Sequence, residues 1–171
     1  MKLSPRYRMP FRRTREGKTD FQKRLRLLKS KNPRLVVRRS LNYITAQIVG
    51  FDKKGDKVLL SSYSRQLKKL GWKFSCDNIP AAYLTGLAIG AQAVKNNIKE
   101  ANLDSGLYAS TKGNRIYAVA KGAMDAGLKI PISQDILPSP DRISGKHIAS
   151  KEKFKELPST FEKIKETILG G

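Results

Sequence analysis

The sequence predicts a fold of the α/β or α+β class, in which one mixed β-sheet contains a β-meander and helices pack on the sheet. Three observations support this prediction. Apolar and polar residues alternate between residues 35 and 63, with the period of β-strands. Two later segments carry helix signals at their ends. Apolar residues also concentrate between Leu35 and Ile132, where they are dense enough to form one core.

The alternating segment predicts three strands. Leu35–Arg38 begins the first, Tyr43–Phe51 forms the second and Val58–Tyr63 forms the third. The run 53–56 (Lys-Lys-Gly-Asp) has the composition of a hairpin turn, with Gly55 free to adopt a positive φ. We therefore expect an antiparallel three-stranded meander, with Ile44, Ala46 and Ile48 on one face of its middle strand.

Capping residues predict the helices. Thr19 or Asp20 could cap a short helix over Phe21–Lys29, whose Phe21, Leu25 and Leu28 share one face. Asn78, followed by Pro80, begins a helix that reaches about Asn96. This helix is rich in small residues, which would let it lie close to a sheet. Asn114 caps another helix, Arg115–Ala126, and Gly127 ends it in the left-handed conformation.

Shorter elements fill the remaining chain. We predict a helical turn over Arg65–Leu70 that Gly71 stops, a strand over Ala101–Tyr108, and an extended piece over Ile130–Ile132 that could be an edge strand. Residues 134–157 should form a loop with a turn of helix near 143–149. A last helix covers Phe161–Leu169 and starts at Ser159 or Thr160, with Phe161, Ile164 and Ile168 on one side.

These elements divide the chain of 171 residues into three parts. Residues 1–33 form a basic extension without a core of its own, residues 34–132 form the globular α/β core, and residues 133–171 form a loop-rich extension that ends in a helix. The sequence has no internal repeat and no apolar run long enough to span a membrane.

Positive charge is concentrated at the start of the chain. Residues 1–39 contain 15 Lys or Arg and two acids, a net charge of +13 out of the total of +21. Such density repels itself unless a polyanion neutralises it, so we predict an RNA-binding arm in which Tyr7 and Phe11 stack on unpaired bases. The alternatives are a solvated tail or a transit peptide, and Pro5, Pro10 and Gly17 oppose the amphipathic helix of the latter.

Two further segments could contact a polyanion. Arg38, Arg39, Tyr43, Thr45 and Gln47 lie on the outward sheet face or its edge, which is free if helices cover only the other face; an ordinary solvent-exposed face explains them equally well. The run 112–115 (Lys-Gly-Asn-Arg) precedes a helix start and suits a phosphate. It lacks the spacing of a nucleotide-binding loop, and a plain N-cap explains it as well.

The residues typical of catalysis or metal binding are few. His147 is the only histidine, without a nucleophile turn near it, and Cys76 has no second cysteine for a disulfide or a zinc site. Asp52, Asp56, Asp104 and Asp125 are spread over turns and element ends, although the fold could still bring some of them together. We predict no catalytic residue, no metal and no cofactor, and a lone cysteine fits the reducing cytoplasm.

Several motifs, in order along almost the whole chain, resemble the ribosomal protein L-eighteen family, with a length that suits the archaeal form. The motifs are residues 34–40 (RLVVRRS), 42–47 (NYITAQ), 80–86 (PAAYLTG), 104–106 (DSG), 113–117 (GNRIY), 121–127 (KGAMDAG) and 141–145 (DRISG). Ile132 departs from the family pattern, which often has histidine after the Ile-Pro pair, so no role is assigned to that side chain.

The resemblance implies a core similar to the ribonuclease-H-like motif, used without catalysis. It implies a cytoplasmic, ribosomal protein that holds 5S rRNA against the large-subunit rRNA in the central protuberance, beside a 5S-binding protein of the L-five family. The basic arm, here taken from Arg6 to Arg39, and the strand entry from Ser40 to Gln47 would then meet 5S rRNA. The predicted RNA-binding residues are Arg6, Arg8, Arg12, Arg13, Arg15, Lys18, Lys23, Arg24, Arg26, Lys29, Arg34, Arg38, Arg39, Ser40, Asn42, Tyr43, Gln47, Lys112 and Arg115.

We therefore expect a non-enzymatic structural RNA-binding protein. Two alternatives remain open at this point. A general nucleic-acid-binding protein would bind a random duplex as well as 5S rRNA. A nuclease on the same sheet-and-helix motif would need clustered carboxylates at strand ends, and its RNA hydrolysis would require magnesium and be lost in Asp104→Asn.

Overall fold

The computed structural model describes residues 6–170 and has one four-stranded mixed sheet. Its strands are β1 (Arg34–Arg39), β2 (Ile44–Asp52), β3 (Gly55–Tyr63) and β4 (Asn102–Asp104), in the order β3-β2-β1-β4. β1, β2 and β3 are antiparallel neighbours, while β4 runs parallel to β1. The predicted meander and fold class are confirmed. The ribonuclease-H-like detail and the three-part division stay predictions, and residues 1–5 and 171 lie outside the described range.

Seven α-helices accompany the sheet within residues 6–170, together with short 3-10 helices at Ser64–Leu70, Gln134–Ile136 and Glu152–Phe154. The α-helices are α1 (Arg12–Arg15), α2 (Phe21–Lys29), α3 (Ile79–Lys95), α4 (Arg115–Asp125), α5 (Pro140–Ser144), α6 (Lys146–Ala149) and α7 (Leu157–Gly170). Within that range no helix has the length and apolarity needed to cross a membrane.

Side-chain caps begin three of these helices as the sequence predicts. The carboxylate of Asp20 accepts the Lys23 amide at 3.0 Å, Asn78 accepts the Ala81 amide at 2.9 Å, and Asn114 accepts the Tyr117 amide at 3.0 Å. Each cap satisfies an amide that has no partner inside its helix. The predicted starts of α2, α3 and α4 are therefore confirmed.

The core lies between the sheet and the pair α3 and α4. Alternation along β1 and β2 directs Leu35, Val37, Ile44, Ala46 and Ile48 to this side, and all five are almost completely buried. α7 closes the core from the far side of α3, with Phe161 and Ile164 each 2% exposed. The C-terminal helix thus packs on the core with the side that the sequence predicts.

The small residues of α3 face α4 more closely than they face the sheet. A Cβ added at Gly90 would come within 2.8 Å of the Ala123 backbone, and one at Gly86 would overlap the Val119 carbonyl. Gly122 of α4 approaches the Tyr83 carbonyl in the same way. Gly86 and Gly90 therefore serve helix–helix contact, while α3 also packs against β2 and β3 as expected.

Several elements differ from the expectations, among them β3, which begins at Gly55 and not at Val58. β4 has three residues instead of eight, since the chain turns after Asp104 and Gly106 has φ +60°. The 130–132 piece is not a strand, because its neighbourhood contributes only a bridge between Lys129 and Glu100. The arm contains the helical turn α1, and α7 begins at Leu157, before Ser159.

Candidate nucleic-acid interface

The arm that precedes α2 exposes its cations. Arg6, Arg8, Arg12, Arg13, Arg15 and Lys18 all lie at the surface. Glu16 is held between Arg12 at 2.7 Å and Lys18 at 2.9 Å, and these hydrogen bonds lower its pKa. The arm is also tied to α2, because the Phe11 and Phe21 rings meet edge to face at 5.4 Å. It therefore presents charge from a folded segment within the described range.

Helix α2 lies on the side of the sheet opposite α3 and turns charged residues toward it. The Lys23 ammonium donates to the Ser105 hydroxyl at 3.0 Å and the Gly106 carbonyl at 2.9 Å, both just after β4. Arg24 reaches Asp56 on β3, while Phe21 and Leu25 remain exposed. Of the predicted apolar face, Phe21 and Leu25 are therefore at the surface and Leu28 is half-buried, while Lys23 and Arg24 make the polar contacts with the core.

Asp56 is the first acidic centre beneath α2. Arg24 binds its carboxylate with two parallel hydrogen bonds of 2.7 and 2.8 Å, and Arg34 of β1 donates to it at 2.7 Å. Bidentate pairing of this kind fixes direction as well as charge. The hydrogen bond from Arg24, with a smaller contribution from Arg34, lowers the pKa of Asp56 against the opposing effect of burial.

Asp104 at the end of β4 is the second centre. It accepts hydrogen bonds from Arg34 at 2.9 Å, from Arg38 at 3.3 Å and from the Gly106 amide at 2.8 Å. Burial would by itself raise the pKa of Asp104, but the Gly106 amide and the two guanidinium groups together lower it. Arg34, only 3% exposed, therefore bridges β3 to β4 across the outer face of the sheet.

The outer sheet face is only partly open. A cavity of about 290 Å³ lies between α2 and the sheet, lined among others by Leu27, Arg34, Val36, Gln47 and Val58. Gln47 and Thr45 are half-buried, and α2 has no buried residue. The expectation of a free outer face is therefore wrong over the part that α2 covers. Since α2 buries no residue, its principal attachments are polar: the ion pair of Arg24 with Asp56 and the hydrogen bonds of Lys23 to Ser105 and Gly106.

The end of β1 and the following turn remain accessible. The Arg39 guanidinium lies 5.4 Å from the centre of the Tyr108 ring, and the Tyr108 hydroxyl donates to the Arg39 carbonyl at 2.7 Å. Ser40 and Asn42 are exposed, and Leu41 between them is 94% exposed. Tyr43 is half-buried, with its ring 5.2 Å from that of Tyr63.

The 112–115 segment contains one exposed cation and one engaged cation. Lys112 is exposed, whereas Arg115 is bound to the carbonyl and carboxylate of Asp77. Burial raises the pKa of Asp77, although the Arg115 guanidinium acts to lower it. Asn114 serves as the N-cap of α4, so the plain-cap explanation accounts for it without a ligand.

The predicted contact residues thus separate by environment. Those at the surface are Arg6, Arg8, Arg12, Arg13, Arg15, Lys18, Arg26, Lys29, Arg38, Arg39, Ser40, Asn42 and Lys112. Half-buried are Lys23, Arg24, Tyr43, Gln47 and Arg115, and only Arg34 is buried. Their contacts with RNA stay predictions, and burial gives Arg34 an internal role.

Sequence reasoning missed the importance of Asp56 and Asp104. It treated them as scattered acids, whereas the fold brings both onto Arg34. Their positions at the beginning of one strand and the end of another were visible, but the pairing of those strands' ends was not. It also passed over Leu41, whose apolar character in a polar turn was the available signal.

The remaining candidates for chemistry offer no assembled site in residues 6–170. No group of three or more His, Cys, Asp or Glu residues there could hold a metal ion. His147 is exposed beside α5, and Cys76 is buried, which raises the pKa of its thiol. Asp56 and Asp104 are neutralised by arginines, an arrangement that leaves little affinity for a cation.

Two comparisons with known proteins agree. A family model described as ribosomal large subunit proteins 60S L5 and 50S L18 matches residues 5–102 and 95–133. The chain is also 52% identical, over 164 residues, to the large ribosomal subunit protein uL18 of Methanococcus maripaludis. That alignment covers 95% of this chain and 85% of the relative, so the similarity includes the basic arm as well as the core.

Proposed function

Because the chain belongs to the family of ribosomal large-subunit proteins that includes uL18, we propose that it binds 5S rRNA and anchors it to the large-subunit rRNA in the central protuberance. Membership in the family makes the chain a structural constituent of the large subunit of the cytoplasmic ribosome, with rRNA as its partner. The identity of that RNA and the position in the subunit are the parts we propose here.

The observation that carries the proposal is the exposure of the arm's cations. Residues 1–39 hold +13 of the net charge, and most of the described cations there lie at the surface. The segment itself has only two acids, and Asp56 and Asp104 of the core engage only Arg24, Arg34 and Arg38 of its cations. A dense, exposed positive surface on a rigid core fits a folded RNA.

The mechanism follows from this division of charge. The arm neutralises phosphates and releases their counterions, while the folded core limits which RNA shapes it can meet. Contacts of this kind position and stiffen an RNA more than they read its sequence. Tyr7 and Phe11, which are 51% and 76% exposed, are available to stack on unpaired bases.

The proposal is tested by measuring binding of the full chain to 5S rRNA and to a random duplex RNA of matched length over a range of salt. We expect tighter binding to 5S rRNA and a logarithmic salt slope of about −0.7 to −0.9 per phosphate neutralised. Equal affinity for the two RNAs would indicate a general nucleic-acid-binding protein, and a slope near zero would contradict the electrostatic mechanism.

The proposed neighbours of this chain in the central protuberance can be tested in the intact large subunit. We propose that a protein of the L-five family is a neighbour of this chain on 5S rRNA. Crosslinking of the intact large subunit, followed by mass spectrometry, should join this chain to 5S rRNA and to that protein. Crosslinks confined to RNA and proteins elsewhere in the subunit would contradict the proposed position.

A further inference from the structure

Asp56 and Asp104 stand out in a chain of net charge +21, because acids near a phosphate-binding surface oppose the binding of RNA. Both face α2, which belongs to the predicted RNA-binding extension. Asp56 takes the bidentate pair from Arg24, and Asp104 is joined to Asp56 through Arg34. Two carboxylates on this side of the sheet therefore serve something other than direct contact with RNA.

The attachment of α2 depends on these polar contacts. The helix has no buried residue, and a cavity of about 290 Å³ separates it from the sheet. Its ties to the core include Arg24 to Asp56, and Lys23 to Ser105 and Gly106, directly after Asp104. Asp56 provides the ion pair directly, and Asp104 accepts the amide of Gly106 and so helps to position the acceptors of Lys23. Because α2 buries no residue, little apolar burial would compensate for the loss of these contacts.

The position of α2 also determines that of the arm before it. Phe11 contacts Phe21 ring to ring at 5.4 Å, and Arg13 donates to Thr19 at 3.0 Å. Arg13, Lys18 and Thr19 line the same cavity as Arg24 and Arg34. Release of α2 would therefore free the exposed cations of the arm from their fixed relation to the core.

We propose that Asp56 and Asp104 are positioning residues for RNA binding, which hold α2 over the sheet and so preorganise the basic arm before RNA arrives. This inference rests on the proposed function, because it concerns how the arm meets its RNA. It reverses the simple electrostatic expectation, since removing a negative charge from this pair weakens the binding of 5S rRNA instead of strengthening it.

The first test compares Asp56→Asn with Asp52→Asn in the full chain. Asp52 is an exposed residue at the end of β2 in the same hairpin, so both variants gain the same charge. If one tenth of Asp56→Asn molecules keep α2 docked, their affinity for 5S rRNA falls about 10-fold, because only the competent fraction binds. Asp52→Asn should bind at least as tightly as the wild type. Equal affinities of the two variants would overturn the inference.

The salt slope separates positioning from contact. Arg24→Gln and Arg26→Gln remove the same charge from the same helix, but Arg24 is engaged by Asp56 while Arg26 is exposed. Arg24→Gln should weaken binding with an unchanged slope, whereas Arg26→Gln should reduce the slope by about one unit if it meets a phosphate. A reduced slope for Arg24→Gln would overturn the inference. This pair keeps the test decisive if Asp56→Asn does not fold.

Hydrogen exchange of the RNA-free protein tests, independently of the proposed function, whether the carboxylates hold α2 on the sheet. Amides of residues 21–29 should exchange faster in Asp56→Asn and Arg24→Gln than in the wild type, with amides of α3 unchanged. Asp56→Glu, which keeps a carboxylate, should restore part of the protection. Unchanged exchange in α2 would overturn the inference, even if the wild type prefers 5S rRNA. A wild type without that preference would instead overturn the proposed function.

Discussion

Arg34 lies between two carboxylates on the outer face of the sheet, 2.7 Å from Asp56 and 2.9 Å from Asp104. Its side chain is almost completely buried, and its Nε has no hydrogen-bond partner within the described residues. A buried guanidinium is stable only when its charge is paired. The fold thus uses this cation internally, although its position within the basic segment 1–39 suggested an RNA contact.

Replacing Arg34 should destabilise the fold. Arg34→Met keeps most of the volume but leaves Asp56 and Asp104 with one guanidinium fewer each. We expect a loss of about 3 kcal/mol in the free energy of unfolding, which is the lower end of the range for breaking a buried ion pair. The lower end applies because Arg24 still pairs with Asp56 and Arg38 still pairs with Asp104. Urea denaturation measures this loss. The exposed Arg26→Met should change stability by less than about 0.5 kcal/mol, and a similar effect of both variants would contradict this assignment.

The two carboxylates predict a dependence of stability on pH. Arg24 and Arg34 lower the pKa of Asp56, while at Asp104 the Gly106 amide, Arg38 and Arg34 lower the pKa despite burial. The folded pKa values of both carboxyls lie below the unfolded value of about 3.9. Their contribution to the free energy of unfolding is therefore complete above the unfolded pKa and is lost as the pH falls through the unfolded and then the folded pKa.

Urea denaturation from about pH 6 to about pH 2 should therefore show a falling free energy of unfolding on the acid side. Asp104→Asn should flatten that fall, because the variant has no proton to take up at this position. Asp77 changes the free energy of unfolding in the opposite direction: burial raises its pKa, so its protonation as the pH falls favours the folded state. An identical acid limb in the wild type and Asp104→Asn would show that the Arg38 and Arg34 pairs contribute nothing to acid stability.

At the scale of elements, helix ends were predictable and helix contacts were not. Asp20, Asn78 and Asn114 cap their own helices through bonds to amides three residues on, which is a local event that the sequence encodes directly. The close contact of α3 with α4 was not predicted in addition to its contact with the sheet, because a run of Gly and Ala indicates close approach without identifying the partner. The approach is made by α4, whose Gly122 meets Tyr83.

This contact predicts a strong effect of small additions. Gly86→Ala and Gly122→Ala each place a methyl group on the backbone of the facing helix, which cannot move away without shifting the whole element. We expect losses of about 2–3 kcal/mol in the free energy of unfolding for each, as for an overpacked core.

Gly50→Ala provides the matched control, because its methyl group would lie 3.6 Å from Leu59, an ordinary contact in the sheet. We expect a change of less than about 1 kcal/mol there, measured by thermal or urea unfolding. Tolerance of alanine at both Gly86 and Gly122 would show that α3 and α4 can separate without cost.

Across the whole molecule, opposite faces of one sheet have different tasks. The inner face meets α3 and α4 in an apolar core, while the outer face holds α2 through polar contacts, and α2 in turn contacts the basic arm. α2, which buries no residue, is also the element next to the exposed cations of the arm. This separation lets the arm's charge meet a polyanion without exposing the core.

The arm should contribute to RNA binding through charge and not through fold stability. Arg8→Gln, at an exposed position, should weaken 5S rRNA binding a few-fold and reduce the logarithmic salt slope by about one unit. Lys163→Gln on α7 removes the same charge from the opposite side of the molecule and should leave the slope unchanged. Equal slopes for Arg8→Gln and the wild type would remove Arg8 from the contact surface.

The sequence by itself determined the class of fold, the meander, the capped helices and the concentration of charge, because each depends on neighbours along the chain: period, caps, turns and composition. Only the tertiary structure decided which cations are free. Lys23, Arg24, Arg34 and Arg115 became engaged because folding brought distant acceptors to them, Asp56 and Asp104 above all. An ion pair between residues 70 positions apart, such as Arg34 and Asp104, requires strand pairing that no local pattern encodes.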